Sequence, residues 1–159
     1  MDAQPLQAQV AAAIAAVRVK AVMIGNAAAA LRGAPVTTVD FDFFYGDTKL
    51  NREKLDQLAE RLHASLRRPF VQVSGLVRID RPEANLQLDF ISYIGPRLSF
   101  EGVRKRASLL AFGQHSLLVA CLDDIIRSKR AAGRPRDLAV LDALKATKDL
   151  EDSRSRETS

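Results

Sequence analysis

The chain has 159 residues, with 24 Lys and Arg against 19 Asp and Glu, which leaves a formal charge of +5 and a pI near 9.7. That length suits one domain with a sizeable core, and 47% apolar with 27% charged residues excludes disorder of the whole chain. A single cysteine, Cys121, excludes a disulfide framework and a cysteine-rich zinc site and fits a reducing compartment, while only two His argue against a His-built metal site. The positive surplus favours an anionic partner without specifying one.

The Ala-rich text from Val10 to Val17 is not read as a leader, because Asp2 replaces a basic start, Gln7 and Gln9 interrupt the approach, and Arg18 and Lys20 follow at once. No run approaches the roughly 20 apolar residues needed to span a bilayer, so a cytoplasmic protein without a membrane partner is expected. Leu6, Val10, Ile14 and Val17 recur at helical spacing and predict an amphipathic first helix. Ala21 to Ile24 reads as a buried strand ending at Gly25, with Asn26 as the cap of an Ala-rich helical turn that closes at Gly33. After Pro35, Val36 to Tyr45 reads as a strand, and Leu55, Leu58, Ala59, Leu62 and Leu66 mark an amphipathic helix stopped by Pro69.

Phe70 to Ser74, Leu76 to Ile79 and Leu86 to Tyr93 read as strands, the last two separated by the turn Asp80 to Glu83. Phe100 to Ala107 reads as a short basic helix or turn, Leu109 to Phe112 and Ser116 to Ala120 as brief strands, and the text from Leu122 as two helices broken at Gly133-Arg134-Pro135. Residues 1–150 thus form one domain, and Glu151 to Ser159, without apolar periodicity, reads as a frayed tail. The expected class is α/β (α+β): a mixed sheet flanked by helices, with a C-terminal helical pair.

Three carboxylates stand where strands should be apolar. Asp is depleted in strands, yet Asp40 and Asp42 sit in Thr38-Val39-Asp40-Phe41-Asp42-Phe43-Phe44. Alternation puts them on one face, about 6.5 Å apart at Cα, with Phe41 and Phe43 on the other. Two carboxylates on a half-buried surface repel and lose hydration, which a divalent cation or a proton relieves. Asp89 interrupts Leu86-Gln87-Leu88-Asp89-Phe90-Ile91 in the same way. If the two strands are neighbours, three carboxylates converge, a donor type that suits Mg²⁺ with waters and phosphates. Gly25-Asn26 is a glycine turn feeding a helix N-terminus, a natural place for phosphate and also an ordinary strand-to-helix turn.

This order of features resembles the nucleotidyltransferase fold of the DNA polymerase β superfamily. The segment Cys121-Leu122-Asp123-Asp124-Ile125-Ile126-Arg127-Ser128-Lys129-Arg130-Ala131-Ala132-Gly133-Arg134-Pro135-Arg136-Asp137-Leu138 resembles the LeDLi-x-sK-x-aa-gR-x-kDl stretch of small bacterial members, including the abortive-infection-type toxins. The resemblance spans about residues 20 to 145. It implies that Asp40, Asp42 and Asp89 are catalytic and hold Mg²⁺, two ions in all, with Mn²⁺ as a substitute. It further implies that Gly25 and Asn26 grip the triphosphate of an NTP, that Lys129 neutralises its charge as a point cation, and that Asp137 orients Lys129 or Arg134. Asn26 departs from the family's Gly-Ser or Gly-Gly turn, although an amide also donates to phosphate. The implied activity is transfer of a nucleoside monophosphate to a hydroxyl of RNA, protein or a small molecule, within a toxin–antitoxin or phage-defence system. The alternative is an inactive binding or regulatory module of the same fold, paired with a cognate toxin or antitoxin protein. The plainer readings of Lys129 and Asp137 are a solvated helix end and a first-turn acid.

His63 and His115 read as surface residues, Cys121 as a buried, inert thiol. Arg97, Arg104, Lys105 and Arg106 read as a charged face able to meet an RNA backbone.

Overall fold

A computed structural model describes residues 5–38, 40–69 and 75–158. The expected strand Phe70 to Ser74 and the residue Val39 lie outside the described residues. Helix α1 (Leu6–Val17) leads to β1 (Ala21–Ile24), α2 (Gly25–Leu31), β2 (Phe41–Tyr45), α3 (Lys49–Arg61), β3 (Ser65–Arg67) and β4 (Val77–Arg81). A 3₁₀ turn (Pro82–Ala84) then precedes β5 (Leu86–Ile91), α4 (Phe100–Arg106), β6 (Ser108–Phe112), β7 (His115–Val119), α5 (Leu122–Ala132), α6 (Pro135–Leu138) and α7 (Leu141–Glu157).

The strands form one mixed sheet in the order β3-β4-β5-β2-β1-β7-β6. β2 lies antiparallel to β1 and parallel to β5, and β4 and β5 form an antiparallel pair. The register places Ile24, Asp42, Asp89 and Arg78 opposite one another in a row across β1, β2, β5 and β4. Paired residues share a face of the sheet, so the two carboxylates meet on one side. The adjacent row, Met23, Phe43, Phe90 and Val77, points the other way and is buried. Phe43 and Phe90 stack there with ring centroids 4.9 Å apart. Helix α1 packs on β7 and α3, and α2 packs on β1, β2 and α5.

Several boundaries differ from the sequence expectation, each for a local reason. The strand expected from Val36 begins only at Phe41; the Thr38 hydroxyl donates to the Asp40 carbonyl at 2.6 Å, so the chain bends there instead of pairing. The helix expected to reach Leu66 stops at Arg61, since His63 adopts φ 51 and Leu66 pairs with Ile79 in β3. Asn26 does not cap α2: the helix starts at Gly25, directly on the end of β1, and no side chain caps it. The tail expected to fray continues α7 to Glu157, exposed but with Lys148 lying 3.4 Å from Asp152 one turn on. Arg106 is not part of a free basic face; its Nε donates to the buried Asp124 at 2.8 Å.

No described helix is long and apolar enough to cross a membrane. A buried amide pins the sheet to its loops. Asn51, 3% exposed, accepts from the Lys20 N–H at 2.8 Å and donates to the Lys20 and Gly46 carbonyls, each at 2.8 Å. It thereby ties the entry of β1 to the exit of β2. Replacing a buried side chain that pairs with three part-buried backbone groups removes all three bonds at once. Asn51→Ala is expected to lower stability by about 2–4 kcal/mol in urea unfolding; a loss well under about 1 kcal/mol would mean that water takes over these bonds.

Candidate functional site

A cleft of about 830 Å³ opens on the face that carries Asp42 and Asp89. All eight residues expected from the sequence line it: Gly25, Asn26, Asp40, Asp42, Asp89, Lys129, Arg134 and Asp137. They come from four regions of the chain, and the pairing of β1, β2 and β5 with α5 and α6 laid alongside brings them together.

Asp42 is the centre of this arrangement. Loss of hydration on burial, with the charges of Asp89 and Asp40 added, pushes its pKa up to about 6 against the pull of Lys129 and Arg134. Gly25 lies directly against it, at φ 72, and a Cβ there would come 2.8 Å from the Asp42 Oδ2. Only glycine accepts both that backbone conformation and that approach. The Asn26 amide donates to the Thr37 carbonyl at a long 3.4 Å, while its buried Oδ1 has no partner among the described residues.

The basic side of the cleft is organised by Asp137, which is 3% exposed. Arg134 donates to it twice, at 2.6 and 3.2 Å, and Lys129 Nζ lies 3.6 Å away. Burial works to raise the Asp137 pKa, but the hydrogen bonds and charge of Arg134, with Lys129, outweigh it and hold it below the usual range. Burial lowers the Lys129 pKa, partly offset by Asp137 and Asp42. Asp137 also forms a capping box with Arg134 at the start of α6. The first-turn reading of this acid and its reading as an orienting group therefore describe one side chain.

Asp89 is engaged by a residue the sequence reading did not single out. Arg78 Nε and Nη2 donate to its two oxygens at 2.8 and 3.1 Å, and Gln87 adds a contact at 3.3 Å. The signal was there: Arg78 interrupts the apolar strand Val77-Arg78-Ile79 as Asp89 interrupts β5. Thr37, Thr38, Tyr93 and Arg136 also line the cleft. Among the described residues, no three His, Cys, Asp or Glu side chains form a group able to enclose a metal ion. The donor set fits an ion that takes one or two carboxylates and fills its shell with water and phosphate, and the mutual repulsion on Asp42 is what such a cation relieves. Elsewhere, burial pushes the half-buried Cys121 thiol up, as suits an unreactive cysteine, and His63 and His115 are exposed.

No family model matches the chain, and no curated protein does. Solved structures match. A Thermotoga maritima protein inferred to be a nucleotidyltransferase superposes with a TM-score of 0.61 at 16% identity, over 84% of this chain and 86% of that one. ANT(2″)-Ia in complex with adenylyl-2″-tobramycin gives 0.59 at 16% identity, over 94% and 95%. The solution structure of the antibiotic-resistance factor ANT(2″)-Ia gives 0.57 at 13% identity, over 94% and 91%. At such identities the likeness establishes the fold, which is nucleotidyltransferase-like.

Two outcomes follow from the crowding on Asp42. Its folded-state pKa of about 6 exceeds the ordinary 3.8, so the protonated form favours folding. That stability is complete below about pH 4 and is lost as pH rises through about 6, a cost of roughly 3 kcal/mol at neutral pH. Asp42→Asn is therefore expected to be more stable than the parent at pH 7.5 in metal-free urea titrations, by about 1–3 kcal/mol, with the difference closing near pH 4. A difference independent of pH would show that Asp42 is not strained. Gly25→Ala is expected to lose roughly 1–3 kcal/mol in the same titration, and unchanged stability would show that β1 can shift away from Asp42.

Proposed function

We propose that this protein is a metal-dependent nucleotidyltransferase that moves a nucleoside monophosphate from an NTP to an acceptor hydroxyl. The observation that carries the reading is the meeting of acids and bases on one cleft: Asp42 stands between Asp40 and Asp89 and faces Lys129 and Arg134. A triphosphate with its cation has the charge pattern that such a site complements. The shared fold supports the same class of chemistry.

In this reading Asp40 and Asp42 hold Mg²⁺, with Asp89 as a further ligand or as the base for the acceptor. When bound, the two Mg²⁺ ions, or Mn²⁺ in their place, supply charge neutralisation for the triphosphate and for the developing pyrophosphate. The backbone of Gly25 and the Asn26 Nδ2 donate to phosphate oxygens, the latter in place of its long 3.4 Å bond to the Thr37 carbonyl. Lys129 and Arg134, steadied by Asp137, present positive charge to the same phosphates. The acceptor oxygen bonds to the α-phosphorus, the bond from that phosphorus to the bridging oxygen breaks, pyrophosphate leaves, and the hydroxyl proton passes to Asp89. Asp89 must release Arg78 to do so. Most of the rate comes from positioning and charge neutralisation.

The NTP substrate places the reaction in the cytoplasm, and a cognate toxin or antitoxin protein belongs to the same proposal through the toxin-like C-terminal stretch. A second reading, a binding module without turnover, draws support from the bidentate hold of Arg78 on Asp89. Incubation with each labelled NTP, Mg²⁺ and total cell RNA or protein decides between them. Asp40→Ala combined with Asp42→Ala is expected to abolish Mg²⁺-dependent incorporation while circular dichroism stays unchanged. Full incorporation by the double variant rejects the mechanism, and NTP binding without incorporation by the parent favours the binding module.

A further inference from the structure

The two edges of the sheet are built differently. At one end lies β3, a strand of three residues with the cations Arg67 and Arg68 at its close. Short length and charge are the usual protections of a free strand edge. At the other end lies β6, five residues reading Ser-Leu-Leu-Ala-Phe, with neither protection and with an unbroken register to β7. No Asp, Glu, Lys, Arg or Pro occurs from Ala107 to Ala120, a stretch that takes in both β6 and β7. Leu109 on this edge is 66% exposed, more than any other large apolar side chain among the described residues.

The register decides which backbone groups of β6 face outward. Only Gly113 and Gln114 join β6 to β7, and Phe112 stands opposite His115. In such a hairpin the pair that flanks the turn exchanges both hydrogen bonds, and the pattern alternates from there. Phe112, Leu110 and Ser108 therefore bond to β7, while the N–H and C=O of Leu109 and Ala111 point away from it. Among the described residues those four groups take part in no other backbone bond. Ala107, one step before the strand, is not free in this way, because its N–H donates to the Val103 carbonyl at 3.0 Å. The open edge is thus two residues long, with one donor and one acceptor on each.

We infer that β6 is a self-association edge, to which a second copy of this chain adds its own β6 in antiparallel sense. A two-fold axis through Leu110 sets Leu109 of each copy opposite Ala111 of the other. In that register every outward group finds a partner: two residues per copy, each giving one N–H and one C=O, make four backbone hydrogen bonds. It also sets each large Leu109 beside a small Ala111, with the half-buried Leu118 as its neighbour across β7. Antiparallel pairing sends Arg104, Lys105 and Arg106, at the end of α4, to opposite ends of the joined strands, whereas parallel pairing sets these cations side by side. No charge is buried at the seam. Ser108 shares a face with Val119, Met23 and Phe43, so Leu109 lies on the face of Asp42, and both clefts open on the same side of the joined sheet. The inference is independent of the transferase reading.

Sedimentation of the full chain tests it. One chain weighs 17.4 kDa, and the parent at about 100 µM is expected to sediment at twice that mass. Leu109→Lys is expected to weaken association about tenfold or more. Leu50→Lys, at a similarly open position on α3, is expected to leave it unchanged. Ala111→Pro removes an outward donor that β7 does not use and is expected to give a monomer. Melting curves of dilute samples check that the variants stay folded. Amide exchange of the parent needs no variant and locates the contact: the Leu109 and Ala111 amides are expected to slow as concentration rises. A monomeric parent overturns the inference, including one that pairs through this edge with a different protein. So does a dimer that survives both Leu109→Lys and Ala111→Pro, a dimer equally lost in Leu50→Lys, or one whose Leu109 and Ala111 amides exchange as fast as in dilute solution.

Discussion

The carboxylate of Asp42 stands on a strand inside the sheet, where burial and two like charges work against its ionisation, and the architecture around it is organised by that tension. On one side the chain passes so closely at Gly25 that a side chain is excluded. On the other, the parallel pairing of β2 with β5 sets Asp89 directly across from it. Lys129 and Arg134 reach the same space from α5 and from the break before α6, and they lower the cost without removing it. A protein under selection for stability alone has no use for such an arrangement, since an amide or an aliphatic residue fits a strand at lower cost. The cation proposed above would relieve this charge.

Two other acids in the cleft, Asp137 and Asp89, are handled differently. Asp137 is almost fully buried but has Arg134 in a two-point contact and Lys129 near by, so its ionised form is favoured. Asp89 has Arg78 in a similar two-point contact. Both are compensated. Asp42 has cations at a distance and carboxylates beside it, and stays the frustrated member of the set. Away from the cleft, Asn51 and the Arg106–Asp124 pair close the loops and helix ends that hold this geometry. Arg32 does the same at the far side, donating to the carbonyls of Val119 and Ala120 where β7 ends.

Much of the site was legible before any coordinates because it violates strand composition. Asp40, Asp42 and Asp89 stand out in apolar text, and the pairing of neighbouring strands sets Asp42 against Asp89, with Asp40 just before β2. Arg78 carried the same anomaly but was overlooked, as a single cation in a strand reads easily as solvent-facing. The errors lie where local text has two readings. Val36 to Tyr45 looks like one strand, yet a hydroxyl-to-carbonyl bond at Thr38 bends the chain before Phe41. Leu66 fits the period of α3, yet pairing with Ile79 claims it for β3. Residues 151–157 lack an apolar stripe, yet helix α7 continues through them on local pairing and backbone bonds.

Taken alone, the order of residues determined the class of fold, the acids that interrupt strands, and the basic stretch from Lys129 to Asp137, since hydropathy period and composition are local properties of the chain. Only the tertiary structure decided that Asp42 is strained while Asp89 and Asp137 are compensated. That distinction depends on which charges lie within a few ångströms and how much water is excluded, and both follow from pairing between segments up to about a hundred residues apart. It also decided that Arg106 serves the buried Asp124 and not an open basic face, and that Arg78 covers the third acid.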